Sequence, residues 1–398
     1  MVNVAVLGYG TIGSGVVEVL QTNTEIIAQR AGEEIAVKYI LDLRDFPGDP
    51  NADKVVHDYD IIDKDEDVQV VVECMGGVEP AYTFVKRALL NGRSVATSNK
   101  ELVAKHGAEL IAIAHEKNIN FLFEASVGGG IPIIRPLVQC LTADVIEEVS
   151  GILNGTTNYM LTRMKEEGIS FEEALKEAQE KGYAELHPEA DVEGYDACRK
   201  IAILTSLVAG KTVDFHKIHT EGITGIDPTD FAYAKKLDAT IKLLAVSRET
   251  EDGYQISVAP YLLKKENALA GVNDVFNAVA VCGNTMFYGR GAGKLPTASA
   301  VVADVVECAR HLQKTVGCLW EEGEAKVADF DSQEGRFFVR VLKKARADVE
   351  KVFGAVVPVV LDSALEEFAF VTESMQEAEF EKCREQIFGF VKKIRIKD

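Results

Sequence analysis

The chain has 398 residues, 47% of them hydrophobic, and a formal net charge of −20 at pH 7. That length suits two or three domains with an ample core, and the acidic balance repels phosphate backbones, so no nucleic-acid partner is expected. The seven cysteines are scattered and never paired as Cys-x-x-Cys, which argues against a zinc ribbon or disulfide framework and for a reducing compartment. The opening "MVNVAVLG" has no basic or apolar leader pattern, and no apolar run approaches the ~18 residues of a membrane span. A soluble, cytoplasmic protein without a membrane partner is the expectation.

The first 135 residues alternate strands and helices. "VNVAVL" (2–7) reads as a strand, and "GYGTIG" leads into a helical pattern at Val16, Val17, Val19 and Leu20. Further strands are expected at 35–41, 68–74, 93–97 and 119–125, with helices at 80–90 and 101–117. Short strand–helix units of this kind build a doubly wound parallel sheet, the Rossmann type of α/β fold. After Pro136 a long strand (145–154) precedes helices at 156–167, 171–181 and 196–209, then strands at 254–263 and 277–283. This describes a second, α+β domain over 136–296, with catalytic and dimerisation roles. The helix pattern at 297–312 is read as returning to the first domain, within a segment 297–318. From 334 to 398 the order is strand (336–342), helix (345–353), two strands (356–361 and 366–372), helix (377–387), strand (390–396). That is the ferredoxin-like β-α-β-β-α-β unit, and the acidic stretch before it, "EEGEAKVADFDSQEG", reads as a linker.

Gly8, Gly10 and Gly13 fit the G-x-G-x-x-G pattern at the end of a first strand and the opening of a helix. Gly8 permits the tight turn, Gly10 lets the backbone approach a pyrophosphate, and Gly13 allows close helix–strand packing. The helix N-terminus at Thr11 and Ile12 supplies N–H donors and a favourable dipole. After the second strand, Asp42 would accept from an adenosine ribose, favouring NAD, whereas Arg44 would face a 2′-phosphate, favouring NADP. Both cofactors remain open at this point.

The stretch "GYAELHPEADVEGYDACRK" (182–200) places Asp196 and Lys200 one helical turn apart. An exposed pair at that spacing is worth only about 0.3–0.5 kcal/mol. The run that follows, Ile201 to Val208, leaves little room for a solvated face, so the helix is expected to be interior. A buried lysine is costly unless paired, and desolvation pulls its pKa down. Such an amine suits alcohol dehydrogenation, where a hydroxyl proton must leave with the hydride. Lys100 opens a helix at the carboxyl edge of the sheet, where its charge opposes the helix dipole and calls for another purpose. His216 and His219 lack the glutamate and spacing of a zinc motif and read as structural or surface residues.

Six blocks, in order, resemble homoserine dehydrogenases: "GYGTIG", "ATSNKELVA", "FEASVGGGIPIIRPL", "GILNGTTNYMLTRM", "GYAELHPEADVEGYDACRKIAIL" and "GRGAGKLPTASAVVADVV". The likeness covers roughly residues 1–315. It implies NAD(P)-dependent interconversion of L-homoserine and L-aspartate 4-semialdehyde, in threonine, methionine and isoleucine biosynthesis. It assigns acid–base catalysis to Lys200, substrate binding to Glu185 and Asp196 with support from Asp191, and a place beside nicotinamide and substrate to Lys100. It implies a second cofactor contact at Gly293 and a monovalent cation, usually sodium, at Glu124, Val127, Gly129 and Ile131. His187 departs from the family, which commonly has an acid there, and is read as a surface substitution.

The C-terminal unit resembles the ACT domains that follow some of these enzymes, yet it lacks a Pro-Gly after its first strand. Pairing of subunits, into a homodimer or homotetramer, is therefore expected ahead of amino-acid sensing. The competing reading is a catalytically silent NAD(P)-binding sensor, or an oxidoreductase for a related amino-aldehyde. Retention of Lys100, Glu185, Asp196 and Lys200 together favours the enzyme.

Overall fold

The computed structural model describes residues 1–397, and the chain divides into two compact units. The first comprises 1–146, 202–215 and 287–325; the second comprises 147–201, 216–286 and 326–398.

The first unit is built on six parallel strands: β1 (Val2–Leu7), β2 (Ile35–Leu41), β3 (Val55–Val56), β4 (Val68–Glu73), β5 (Ser94–Thr97) and β6 (Phe121–Leu122). Their spatial order is β3-β2-β1-β4-β5-β6. Order reverses between β1 and β4, and in open α/β sheets ligands bind outside the carboxyl ends of the strands at such a switch point. Val4, Val6, Val70 and Val72 leave no surface exposed, as strands covered on both faces require. The helix Thr11–Thr22 covers them with Val16, Val17 and Leu20, and the helix Lys294–Arg310 adds Ala298, Val301 and Val305 to the same core. These two helices approach closely at Gly15, where an added Cβ would lie 3.1 Å from Ala298 Cβ.

The expected strand at 119–125 shrinks to Phe121–Leu122, because Glu124–Ser126 turns into a 3-10 segment. The acidic stretch read as a linker is partly ordered: Glu321–Glu324 pairs with Lys211–Thr212. Trp320, the residue just before that stretch, packs its ring against Gly107 and donates to Thr212 Oγ1 (3.0 Å).

The second unit is a mixed sheet whose path runs through Phe276–Val281, Glu148–Ile152, Ala239–Thr250, Gly253–Lys264, Phe390–Lys397, Glu334–Leu342 and Glu367–Val371. Two twelve-residue strands, Ala239–Thr250 and Gly253–Lys264, form a long hairpin at its centre. The expected strand at 145–154 pairs only over Glu148–Ile152. The C-terminal strand joins the central hairpin in parallel, through Tyr261–Arg395 to Leu263–Lys397, so 334–397 continues this sheet. The strand expected at 356–361 is reduced to one bridge, Val359 to Ala369. Pro358 interrupts that run and has no N–H to give a ladder.

Candidate active site

The glycine turn sits at the switch point. Gly8 has φ +91°, and an added Cβ there would lie 3.0 Å from Cys74 O. At Gly13 a Cβ would fall 1.8 Å from Gly8 O, so only glycine fits. The Cα of Gly10 faces open space instead. Gly10 caps the helix Thr11–Thr22 without a side-chain bond, and the first N–H groups, at Thr11, Ile12 and Gly13, lack intrahelical acceptors. This is an anion-binding end. It opens on a cavity of about 540 Å³ lined by Gly8, Gly10, Asp42, Arg44, Cys74 and Gly76 among others, a size suited to a nucleotide.

Asp42 and Arg44, in the lining of the same cavity, pair with each other. Arg44 donates from Nε to Oδ1 and from Nη2 to Oδ2, both at 2.9 Å, while the N–H groups of Tyr9 (2.8 Å) and Arg44 (3.0 Å) also reach the carboxylate. The Arg44 side chain holds the Asp42 carboxyl well below the usual carboxylate range. Arg44 itself is 63% exposed.

Lys100 is the first residue of the helix Lys100–Glu116 and is half-buried. Asn99 caps this helix through Oδ1 to the N–H of Leu102 (3.1 Å) and anchors the turn through Nδ2 to Gly77 O (2.6 Å).

The helix Tyr195–Ala209 presents Asp196 and Lys200, both residues of the second unit, on one face. Lys200 Nζ donates to Asp196 Oδ2 (2.7 Å) and to Leu153 O (2.7 Å). Asn154, the cap of the helix Gly155–Glu167, gives its amide N–H to Asp196 Oδ2 (3.0 Å) and Asp191 Oδ1 (2.7 Å). Asp196 is buried, with 4% exposure. Ile201 to Leu204 are buried beyond it, so this helix is interior, as its apolar run predicts. Glu185 is exposed, and what it contributes here is a backbone carbonyl that accepts from Gln179 Nε2 (3.0 Å). Exposed His187 stands 4.0 Å from Glu189. His219 stacks on Phe330 at 3.5 Å and bonds Glu221 at 2.6 Å.

Glu124 is buried. Its carboxylate accepts three backbone N–H groups, of Ile133 (2.7 Å), Ile134 (2.9 Å) and Arg135 (2.7 Å). The glycines that follow are held tightly: Gly129 has φ +55°, and a Cβ there would lie 2.3 Å from Gly291 O. Gly293, at φ +123°, caps the helix Lys294–Arg310.

Three polar residues here escape a reading of the sequence. Asn154 lies inside the quoted "NGTTN" block, which was the only available signal. Asp304 accepts the N–H of Glu124 (2.8 Å) and pairs with Arg135 (2.5 Å); burial pushes its carboxyl up to about 7. Glu73 closes β4 and is fully buried.

Residues 132–306 match the family model described as homoserine dehydrogenase, and residues 8–124 match that of the homoserine dehydrogenase NAD binding domain. The chain is 43% identical to the homoserine dehydrogenase of Neisseria gonorrhoeae over 319 residues, 78% of this chain and 73% of that protein. It is 38% identical to that of Bacillus subtilis over 408 residues, covering 95% and 93%. The crystal structure of a homoserine dehydrogenase from Thiobacillus denitrificans superposes with a TM-score of 0.91 at 34% identity, covering 100% of this chain and 98% of that one. A hyperthermophilic archaeal homoserine dehydrogenase in complex with NADPH gives 0.65 at 27% identity, covering 77% and 97%. No helix among the described residues is long and apolar enough to cross a membrane.

Proposed function

The chain belongs to the homoserine dehydrogenase family, and from that premise we propose how its residues run the reaction. It is an NAD(P)-dependent oxidoreductase that interconverts L-homoserine and L-aspartate 4-semialdehyde, a step of amino-acid biosynthesis. When bound, NAD(P) would supply the hydride acceptor for oxidation and the hydride donor for reduction. The pyrophosphate is assigned to the N–H groups at Gly10–Gly13, with Gly293 a second contact and Lys100 near the reacting end. Lys200 takes the substrate hydroxyl proton as hydride leaves and returns it to the carbonyl oxygen in reduction. Asp196 orients the amine, and Glu185, Asp191 and Asp196 receive the substrate ammonium.

The observation that carries this reading is the convergence of Lys200 and Asn154 on one oxygen of a buried Asp196. A surface ion pair needs no third, neutral donor, whereas a site that must keep an amine aimed does. Purified enzyme given L-homoserine with NAD⁺ or NADP⁺ should reduce the nucleotide. Absence of turnover with both cofactors, despite tight NADPH binding, would return the sensor reading.

At the adenosine end we favour NADP. The two oxygens of Asp42 already receive four N–H donors, while Arg44 remains open to solvent and suits a phosphate.

A monovalent cation, sodium, is proposed at the turn of Glu124, Val127, Gly129 and Ile131. Because the Glu124 carboxylate already serves three N–H groups, the ion would draw mainly on carbonyl oxygens. That donor set suits a singly charged hard cation, and no cluster of three or more acidic, His or Cys groups fit to hold a metal occurs among the described residues. Free thiols at all seven cysteines support a cytoplasmic setting. The 334–398 segment is proposed as an ACT-like element that pairs subunits, in a homodimer or homotetramer.

A further inference from the structure

Glu73 stands at the carboxyl end of β4 with its side chain fully buried, and nothing in the scheme above uses it. Its Oε1 accepts the N–H groups of Met75 (2.7 Å) and Gly76 (3.3 Å), and its Oε2 accepts the Thr97 hydroxyl (2.6 Å). Thr97 Oγ1 accepts in turn from the N–H of Asn99 (2.9 Å). Asn99 closes the ring: its amide donates to Gly77 O (2.6 Å), and its oxygen caps the helix that Lys100 opens.

Two loops are therefore tied through one carboxylate, and directly by the Asn99 amide to Gly77 O. The first, after β4, supplies Cys74, Met75 and Gly76 to the wall of the nucleotide cavity. The second, after β5, carries Lys100. Burial pushes the Glu73 carboxyl above its ordinary range, while the Thr97 hydroxyl, the two backbone N–H groups and the Asn99 side chain draw it down. A buried acid with so many donors is a built acceptor. Neither an amide, with one acceptor oxygen, nor an apolar side chain reproduces it.

We propose that Glu73 is a positioning residue of the dehydrogenase, locking the Met75–Gly76 wall of the cofactor cavity to the Thr97–Lys100 turn so that Lys100 keeps its place against bound nucleotide. The inference rests on the assignment of the cofactor and Lys100 given above.

The test uses full-length enzyme, with NADPH titrated by nucleotide fluorescence and turnover measured with L-homoserine and NADP⁺. Thr97→Val keeps the Met75 and Gly76 bonds and cuts the link to Asn99. It should lower kcat about 10-fold or more while the NADPH Kd stays within about twofold. Glu73→Ala cuts both links and should impair kcat and Kd together, each about 10-fold or more. Glu73→Gln keeps an oxygen for the two backbone N–H groups and should restore most of the NADPH affinity. Should Glu73→Ala not fold, Thr97→Val and Glu73→Gln decide the matter. A Thr97→Val enzyme with unchanged kcat, or one in which kcat, NADPH affinity and melting temperature all fall together, overturns the proposal. Failure of the underlying assignment has a different signature: wild type that binds NADPH without turnover, or Lys100→Ala with full activity.

Discussion

Lys200 Nζ lies 2.7 Å from Asp196 Oδ2 and equally close to the Leu153 carbonyl oxygen. The two contacts fix the amine from its own helix and from the end of a strand, so its position is set by two elements at once. Lys200→Ala should lower kcat about 10²–10⁴-fold, the usual weight of a general acid–base group. NADPH affinity should hold, because the nucleotide cavity is built from residues 8–84. Nucleotide reduction at an undiminished rate would remove Lys200 from the acid–base role.

Asn154 has two separable duties. Its Oδ1 caps the helix Gly155–Glu167 through the N–H of Thr157 (2.9 Å), and its Nδ2 serves Asp191 and Asp196. Asn154→Asp keeps the cap acceptor but replaces an N–H donor with a third negative charge. Activity should fall while the cap is retained. Asn154→Ala should lose both, with about 1 kcal/mol of stability going with the cap. Comparing melting temperature and kcat in the two variants checks the separation, and equal destabilisation in both would contradict it.

Cofactor choice is tested at Arg44. If this side chain meets a 2′-phosphate, Arg44→Ala should raise the KM for NADP⁺ about 10-fold and leave that for NAD⁺ nearly unchanged, as expected for loss of a charge-assisted bond. An unchanged KM for NADP⁺ with a lowered one for NAD⁺ would instead make Asp42, freed from its partner, the residue that sets preference.

What could be read from the sequence follows from where the physical constraint lies. The glycine turn was legible because a Cβ at Gly13 has no room, and that leaves a trace in composition. The Asp196–Lys200 face was legible because both residues share one helix. Asn154 was not, since its partners lie 37 and 42 residues away. Asp304 sits in a run that reads as the polar side of a helix, yet it is buried because Glu124 and Arg135, 180 and 169 residues distant, meet it there. The strand Ala239–Thr250 was overlooked because it is buried on both faces from Ala239 to Ala245, without alternation. The apolar run at 356–361 has the composition of a strand but forms only the Val359–Ala369 bridge, because Pro358 has no N–H to give a ladder.

Arg340 joins the sheet to a helix cap. This buried side chain bonds Asp227, the cap of the helix Pro228–Lys236, as well as Asp230 (2.5 Å) and Glu367 (2.9 Å). Arg340→Met would leave Asp230, which has no exposed surface, short of one cation, with Lys392 (2.6 Å) remaining. Breaking a buried ion network from one side costs about 3–5 kcal/mol, so the unfolding midpoint should fall by several degrees. A double variant, Arg340→Met with Asp230→Asn, should recover part of that loss; no recovery would mean that the lost packing, and not the stranded charge, sets the cost.

Lys242 makes stability depend on pH. Its side chain is buried in the central hairpin, and its amine donates to Val272 O, Asn158 Oδ1 (3.1 Å) and Asn273 Oδ1 (3.0 Å), all uncharged oxygens. Burial pulls its pKa down to about 7, with Lys165 adding to the fall and Glu166 opposing it. The folded protein therefore releases this proton near pH 7, whereas the unfolded chain keeps it until about 10.4. Between those values the unfolded state binds more protons, so the free energy of unfolding rises with pH, by up to about 1.4 kcal/mol per unit. Below pH 7 both states are protonated and this contribution to the slope disappears. Denaturant unfolding of wild type and Lys242→Met at a series of pH values isolates the effect. The difference between the two curves should climb in favour of wild type from about pH 7 toward 10 and stay flat below it. Parallel curves across that window would show that the amine holds its proton in the fold.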